Sequence, residues 1–364
     1  MSRFTRARIH LDALRHNLAV ARSHVGEAKV AAVIKAGGYG HGAVAVAGAL
    51  AGADAFAVTS VDEAEVLRQA GFHQRILVLD GLFEADELEL AAARGLDLVV
   101  HSDWQLDLIE RFTTETPLRC WLKVDSGMHR LGYAPERVKM AYARLANSAS
   151  VEGPVNLMTH FACADDRRSD YTRSQLQVFN AVCEELPGER SAANSAGVLA
   201  WPESHYEWVR PGVMLYGASP FADGLPGRPA LEPAMTLESR LIAIQHFRRG
   251  DRVGYAGTFT CPEDMPVGVV AIGYGDGYPR HAPSGTPVLV DGRRTALVGR
   301  VSMDLICIDL RDLPDVRINA PVTLWGQGLP IEEIAEYCGT ISYELMCKLT
   351  SRVRFDYEGG HGEG

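Results

Sequence analysis

Between positions 29 and 42 the chain reads KVAAVIKAGGYGHG, an apolar β-type run that delivers Lys35 to a glycine-rich turn carrying Tyr39 and His41. A lysine at the C-terminal mouth of a buried strand faces a cleft, where amines that form Schiff bases with carbonyl compounds are found. Gly37, Gly38, Gly40 and Gly42 let the backbone turn tightly and approach a ligand, and Tyr39 can set a phenol against a phosphate. A strand ending in a solvated lysine and an ordinary turn has the same sequence, so the motif alone leaves both readings open.

Further apolar runs also end in groups able to bind or catalyse. KVDSGMHRLGY carries Lys123, Asp125, Met128 and Arg130; THFACADD carries His160; later runs end in Asn194 and Ser195, and in Arg210, Gly212 and Val213. Singly, each has a plain explanation: an ion-paired arginine, a core histidine, a small-residue turn. Together they are what converges at the catalytic face of a parallel α/β barrel. A second group follows: VGYAGTF with Tyr255, AIGYGDGY with Tyr274 and Tyr278, and VGRVSMDL with Met303 and Asp304. A turn aromatic and a core methionine are the plain readings there.

The elements that must position these residues have a clear rhythm. After a helix over 11–24, apolar patterning predicts strands at 29–35, 54–60, 75–80, 97–101, 118–125, 155–160, 190–194 and 206–210. Helix-like runs separate the first seven, at 41–51, 61–70, 84–94, 103–112, 135–147 and 169–186. Eight strands in this order predict a (β/α)8 TIM barrel over 1–230, with an open doubly wound sheet as the alternative, because periodicity does not report closure. Near Asp223 the composition turns to DGLPGRPALEP and the helical rhythm stops. The runs SRLIAIQHF, VGVVAIGY, TPVLV, LICIDL and PVTLWG, with one helix at IEEIAEYCG, predict a separate β-rich domain over 231–364. The tail EGGHGEG reads as frayed.

At 364 residues the chain can bury a large core and hold two domains. A net charge of −10 provides no basic stripe for nucleic acid or an anionic membrane. The N-terminus lacks an uninterrupted apolar signal region and no stretch reaches the length of a membrane span, which predicts a soluble, cytoplasmic protein. The 7 cysteines form no C-x-x-C pair and no zinc-type cluster with histidine, so reduced thiols and no metal site are expected.

The segment KAGGYGHG resembles the alanine racemase signature K-A-N-A-Y-G-H-G, and the similarity extends through each segment named above, over nearly the whole chain. The resemblance implies pyridoxal 5′-phosphate (PLP) held covalently by Lys35, with Tyr39, Ser195, Gly212 and Val213 on its phosphate. It also implies Arg210 at the pyridine nitrogen, His160 against the ring, and Arg130 near the phenolic oxygen and the substrate carboxylate. Lys123 matches a lysine carbamylated in many members; an ordinary Lys123–Asp125 pair is the other reading. Tyr255 is implied as the second catalytic base, and Tyr274 and Met303 as lining the substrate entry, all from the partner subunit of a head-to-tail homodimer. Because a tyrosine with a pKa of about 10 is a poor base near neutrality, His160 hydrogen-bonded onward to Arg210 is expected to help it.

Two positions depart from the family pattern. Gly37 and Gly38 replace Asn-Ala, and Ser351 is expected where many members carry a tyrosine that narrows the entrance. The function implied is interconversion of L- and D-alanine by two bases, supplying D-alanine for peptidoglycan or its catabolism. A broader racemase acting on residues such as serine is one alternative. A non-catalytic PLP-binding regulator is the other.

Overall fold

The computed structural model describes residues 4–221 and 230–360. Most of the Pro/Gly-rich connection near 223 and the last four residues of the tail lie outside them. Eight parallel strands close into a barrel: Lys29–Val33, Ala55–Val58, Arg75–Val78, Asp97–Val100, Arg119–Lys123, Asn156–Met158, Arg190–Ser191 and Trp208–Val209. Closure is direct, since Trp208 pairs with Lys29 and Val209 with Val30 in parallel register. Valine, alanine, leucine and isoleucine dominate these strands because both faces are covered, one by barrel filling and one by helices. The open-sheet alternative is thereby excluded.

The strands stop earlier than the apolar patterning suggests. Val33 ends the first, and Lys35 opens a short turn, Lys35–Tyr39, whose backbone is left-handed from Ala36 (φ 52°) through Tyr39 (φ 50°). A helix at Ser195–Ala200, not anticipated, is capped by the Asn194 side chain, which accepts from the Gly197 N–H at 3.0 Å.

The C-terminal part is sheet, as expected, but its closure and membership were not legible. Strand Met235–Phe247 pairs with Pro321–Trp325 through its first half and with Met265–Val270 through its second, with a register irregularity between Leu241 and Ala243. One long strand therefore bends to serve both ends of a sheet that otherwise runs through Ile306–Asp309, Arg293–Val298 and Pro287–Val290, and the sheet closes on itself. The strand Arg6–His10 joins this sheet from the start of the chain, antiparallel to Met235–Phe247 and parallel to Arg354–Glu358. Its alternation is short: Ala7 and Ile9 are buried, while Arg6 and Arg8 pair with Glu238 and Glu358. A single apolar core runs from Leu14, Val30 and Met214 to Trp325 and Leu345, so barrel and sheet share one packed interface.

Candidate active site

The carboxyl ends of the barrel strands open into a cavity of about 310 Å³. Lys35, Tyr39, Lys123, Arg130, His160, Ser195, Arg210, Gly212 and Val213 all line it, brought together from five strand ends. Lys35, Lys123, Arg130 and Arg210 face a single acid, Asp80, so an acidic chain carries a locally cationic mouth suited to an anion.

One side of the cavity is a cradle of hydrogen-bond donors. Tyr39 is buried by stacking on Tyr216, with ring centroids 4.5 Å apart, while Tyr216 donates its hydroxyl to the Val33 carbonyl at 3.0 Å. Burial pushes the Tyr39 phenol well above its ordinary value, so it remains a protonated donor near neutrality. Ser195 Oγ accepts from the Gly212 N–H at 2.9 Å and the Met214 N–H at 3.3 Å. Its own proton is therefore left to donate, and neither it nor Tyr39 gives a hydrogen bond to a protein atom among the described residues. A Cβ on Gly212 would come within 2.5 Å of Tyr39 Oη, so only glycine lets the phenol reach that backbone. These features fit the phosphate of the cofactor that the resemblance implies.

Behind the cradle, His41 is fully buried with Nδ1 at 2.8 Å from the Tyr39 carbonyl. Because that partner is a carbonyl, Nδ1 carries the proton; Nε2 has no partner among the described residues, and burial lowers the imidazole to about 4. The turn is also pinned from outside, since a Cβ on Gly40 would come within 2.3 Å of the Met346 carbonyl. Met346 belongs to the helix Ser342–Cys347, which brings Tyr343 and Cys347 to the cavity.

Tyr343 corrects one expectation. Its ring centroid is 6.0 Å from that of Tyr39 and it lines the cavity, whereas Ser351 is exposed and does not. A tyrosine thus narrows this entrance after all. The segment ISYELMC, not CKLTSRVRF, brings a residue to the entrance, and its nearness to the Lys35 turn becomes visible only where Gly40 meets Met346 in space. Asp80 was also overlooked, being a lone acid just after a short strand.

On the opposite side, the Arg210 guanidinium donates Nη1 to Ser191 Oγ and Nη2 to the carbonyls of Thr159 at 2.6 Å and Ala192 at 3.3 Å. The His160 ring is not among its partners, so the expected His160–Arg210 hydrogen bond is replaced by bonds to the barrel floor. Burial and the nearby Arg210 and Lys123 cations push the His160 imidazole well below its usual range, which keeps it neutral near pH 7. Lys123 does not pair with Asp125 either. Asp125 instead accepts from the backbone N–H groups of Gly127 and His129 at 3.0 and 2.9 Å and shapes the loop that carries Arg130. Burial first, and the Arg210 charge second, lower the Lys123 ammonium to about 8.

Tyr255, Tyr274 and Met303 are not in this cavity. They are 67%, 39% and 53% exposed on the C-terminal sheet domain, and Leu305 beside them is 38% exposed. Backbone pairing gathers them: Tyr274 N–H bonds to the Ser302 carbonyl, Gly275 N–H to Met303, and Gly254 lies against Arg300. Tyr278, by contrast, is buried and stacked on Trp325, a core residue. Asp304 pairs with Arg352.

A closed parallel barrel that presents a strand-end lysine, a cationic mouth and a cradle of hydrogen-bond donors at its carboxyl face defines an enzyme of the α/β barrel class. Residues 9–220 match the alanine racemase N-terminal domain, and residues 234–357 the C-terminal domain. The chain is 57% identical to the alanine racemase of Halorhodospira halophila over 97% of its own length and 98% of that protein. It is 52% identical to the one from Nitrosococcus oceani, over 96% and 98%. The biosynthetic alanine racemase of Pseudomonas aeruginosa superposes with a TM-score of 0.95 at 45% identity, covering 98% of this chain and all of that one. The chain belongs to the alanine racemase family, and it is an enzyme of the isomerase class. Among the described residues no helix is long and apolar enough to cross a membrane.

Proposed function

We propose that this enzyme racemises alanine with PLP held by Lys35, using two bases from two subunits. The observation that carries the reading is the convergence of Lys35, Arg130, Arg210, Tyr39 and Ser195 on one cavity, with Tyr255 left exposed outside it. PLP, when bound, withdraws electrons from the α-carbon of the amino acid and so makes its proton removable. When PLP is bound, Tyr39, Ser195 and the backbone at Val213 would hold the phosphate, with Gly212, whose N–H is taken by Ser195, giving the phenol room; His160 would lie along the ring and Arg210 would face the pyridine nitrogen. A guanidinium there is a permanent donor and disfavours protonation of that nitrogen. This limits electron withdrawal and suits prompt return of the proton. Arg130, which makes no hydrogen bond or ion pair among the described residues, receives the substrate carboxylate. Lys123, partly deprotonated near pH 8, is nucleophilic enough to take up carbon dioxide, releasing a proton. The resulting carbamate would stand among cations.

Racemisation removes a proton from one face of the α-carbon and returns one to the other. Lys35 reaches one face; Tyr255 of the partner subunit serves the opposite one, with Tyr274 and Met303 lining the entry. The exposed patch of Tyr255, Tyr274, Met303 and Leu305 is what a head-to-tail homodimer would cover. The enzyme acts in the cytoplasm and supplies D-alanine for peptidoglycan or its catabolism. Tyr255→Ala tests the two-base scheme. It should abolish racemisation and solvent-deuterium exchange into L-alanine, while exchange into D-alanine through Lys35 persists; equal exchange into both enantiomers would remove Tyr255 from the mechanism. Assaying serine beside alanine tests the broader-racemase alternative.

A further inference from the structure

Among the described residues, the buried Arg210 guanidinium makes no hydrogen bond or ion pair to a carboxylate, Asp80 across the cavity included. Arg210 is 5% exposed, and its hydrogen-bond acceptors are two backbone carbonyls and one hydroxyl, that of Ser191. Asp97, an acid of the barrel interior, lines the same small cavity beneath Arg210 and Ser191, but its oxygens are engaged by Arg75, Arg119 and the Trp121 indole. Burial alone lowers the guanidinium, to about 10, yet it stays charged at neutral pH.

Ser191 is the one side chain in this set, and its polarity is fixed. It is 1% exposed, on the strand Arg190–Ser191, and donates its only hydroxyl proton to the Trp208 carbonyl at 2.9 Å. Its lone pairs are therefore all that it can offer Arg210, two residues further along the adjacent strand. The hydroxyl cannot turn round and donate without abandoning a buried carbonyl. It thus accepts from Nη1 while the Thr159 carbonyl, just past the strand Asn156–Met158, accepts from Nη2, and these two anchors fix both the position and the plane of the fork. None of these bonds uses Nε, which leaves that N–H free for a ring nitrogen.

We infer that Ser191 is a positioning residue for the racemisation: it holds the uncompensated Arg210 guanidinium in the one orientation that keeps the cofactor's pyridine nitrogen unprotonated. The inference rests on the PLP reading above. Without the Ser191 acceptor a buried guanidinium N–H is stranded and the fork is free to rotate toward the floor cavity. The pyridine nitrogen then becomes protonatable, and electrons from the α-carbon are drawn deeper into the ring. The proton is then returned to the cofactor carbon instead of the α-carbon. Hydrolysis converts alanine to pyruvate and leaves its amino group on the cofactor, one pyruvate per PLP consumed.

The test uses PLP-loaded enzyme carrying Ser191→Ala and, separately, Ser191→Cys, which nearly keeps the volume but accepts poorly. Two quantities are read: the pH dependence of the bound cofactor's absorption spectrum, and pyruvate formed per racemisation event. Both variants should gain a spectral titration near neutrality that the parent lacks, and pyruvate per turnover should rise on the order of tenfold, the effect of one lost bond to a charged group. Ser191→Thr, if it folds, should restore the parent values. A lower melting temperature with spectrum and pyruvate ratio unchanged would overturn the inference, as would failure of both Ala and Cys variants to fold, which would make Ser191 a core residue only. A parent enzyme that takes up no PLP would instead sink the cofactor reading.

Discussion

The Tyr39 hydroxyl occupies the space beside Gly212 that a side chain would need: a Cβ built there lies 2.5 Å from the phenol oxygen and 3.2 Å from its ring carbon. The phenol is fixed on its other side by stacking on Tyr216, so it can retreat only toward the cavity. Gly212→Ala should therefore displace the phenol, costing roughly 1–3 kcal/mol in overpacking. PLP affinity, measured by titration of the apoenzyme, should weaken about tenfold or more. Unaltered affinity would show that Tyr39 contributes nothing to the phosphate site.

Lys35 is expected to be the residue that PLP modifies. Borohydride treatment of the holoenzyme followed by peptide mass analysis should find the cofactor mass on the peptide containing Lys35. Lys35→Ala should fold, carry no such adduct and have no racemase activity. An adduct on Lys123, the other lysine of the cavity, would reassign the site.

The separation of Tyr255 from the Lys35 cavity within one chain predicts complementation between subunits. Mixing inactive Lys35→Ala and Tyr255→Ala proteins under conditions of proven subunit exchange should restore activity, because one of the hybrid's two sites has both bases. No recovery would mean that Tyr255 acts in its own chain or not at all.

His41 should make the fold acid-sensitive. Its folded-state value of about 4 lies below the ordinary value near 6.5 of the unfolded chain. Between those pH values the unfolded state binds a proton that the folded state refuses, so stability falls as pH drops from about 6.5 toward 4 and is unaffected by this group above that window. Urea midpoints for the parent and His41→Asn should converge as the pH is lowered through this range. Parallel curves would show that the ring does not titrate on unfolding as described.

Carbamylation of Lys123 should follow from its lowered value of about 8. With 13C-bicarbonate the enzyme should give a carbamate carbon signal that Lys123→Ala lacks, growing as pH rises toward 8. A spectrum without that difference leaves Lys123 as an unmodified cation beside Asp80.

The alternation of eight strands with helices is legible in the sequence, because strands covered on both faces must be apolar throughout and helices have a different period, whereas closure into a barrel comes from the pairing of Trp208 and Val209 with Lys29 and Val30. Which residues reach the cavity mouth is legible as well: Lys35, His160, Ser195 and Arg210 lie at the ends of apolar runs, so their place there is local. Which partners those groups choose depends on distances between residues far apart in the chain. Arg210 turns to Thr159 and Ser191 instead of His160 because backbone carbonyls and a fixed hydroxyl on neighbouring strands lie within reach of its fork. Tyr343, not Ser351, comes to the entrance because the close approach of Gly40 to Met346 seats its helix there. Arg6–His10 joins the C-terminal sheet because its buried Ala7 and Ile9 and its ion pairs to Glu238 and Glu358 find their partners more than 200 residues away. Only the folded chain brings such contacts together, since long-range pairing is set by packing and leaves no period in the sequence.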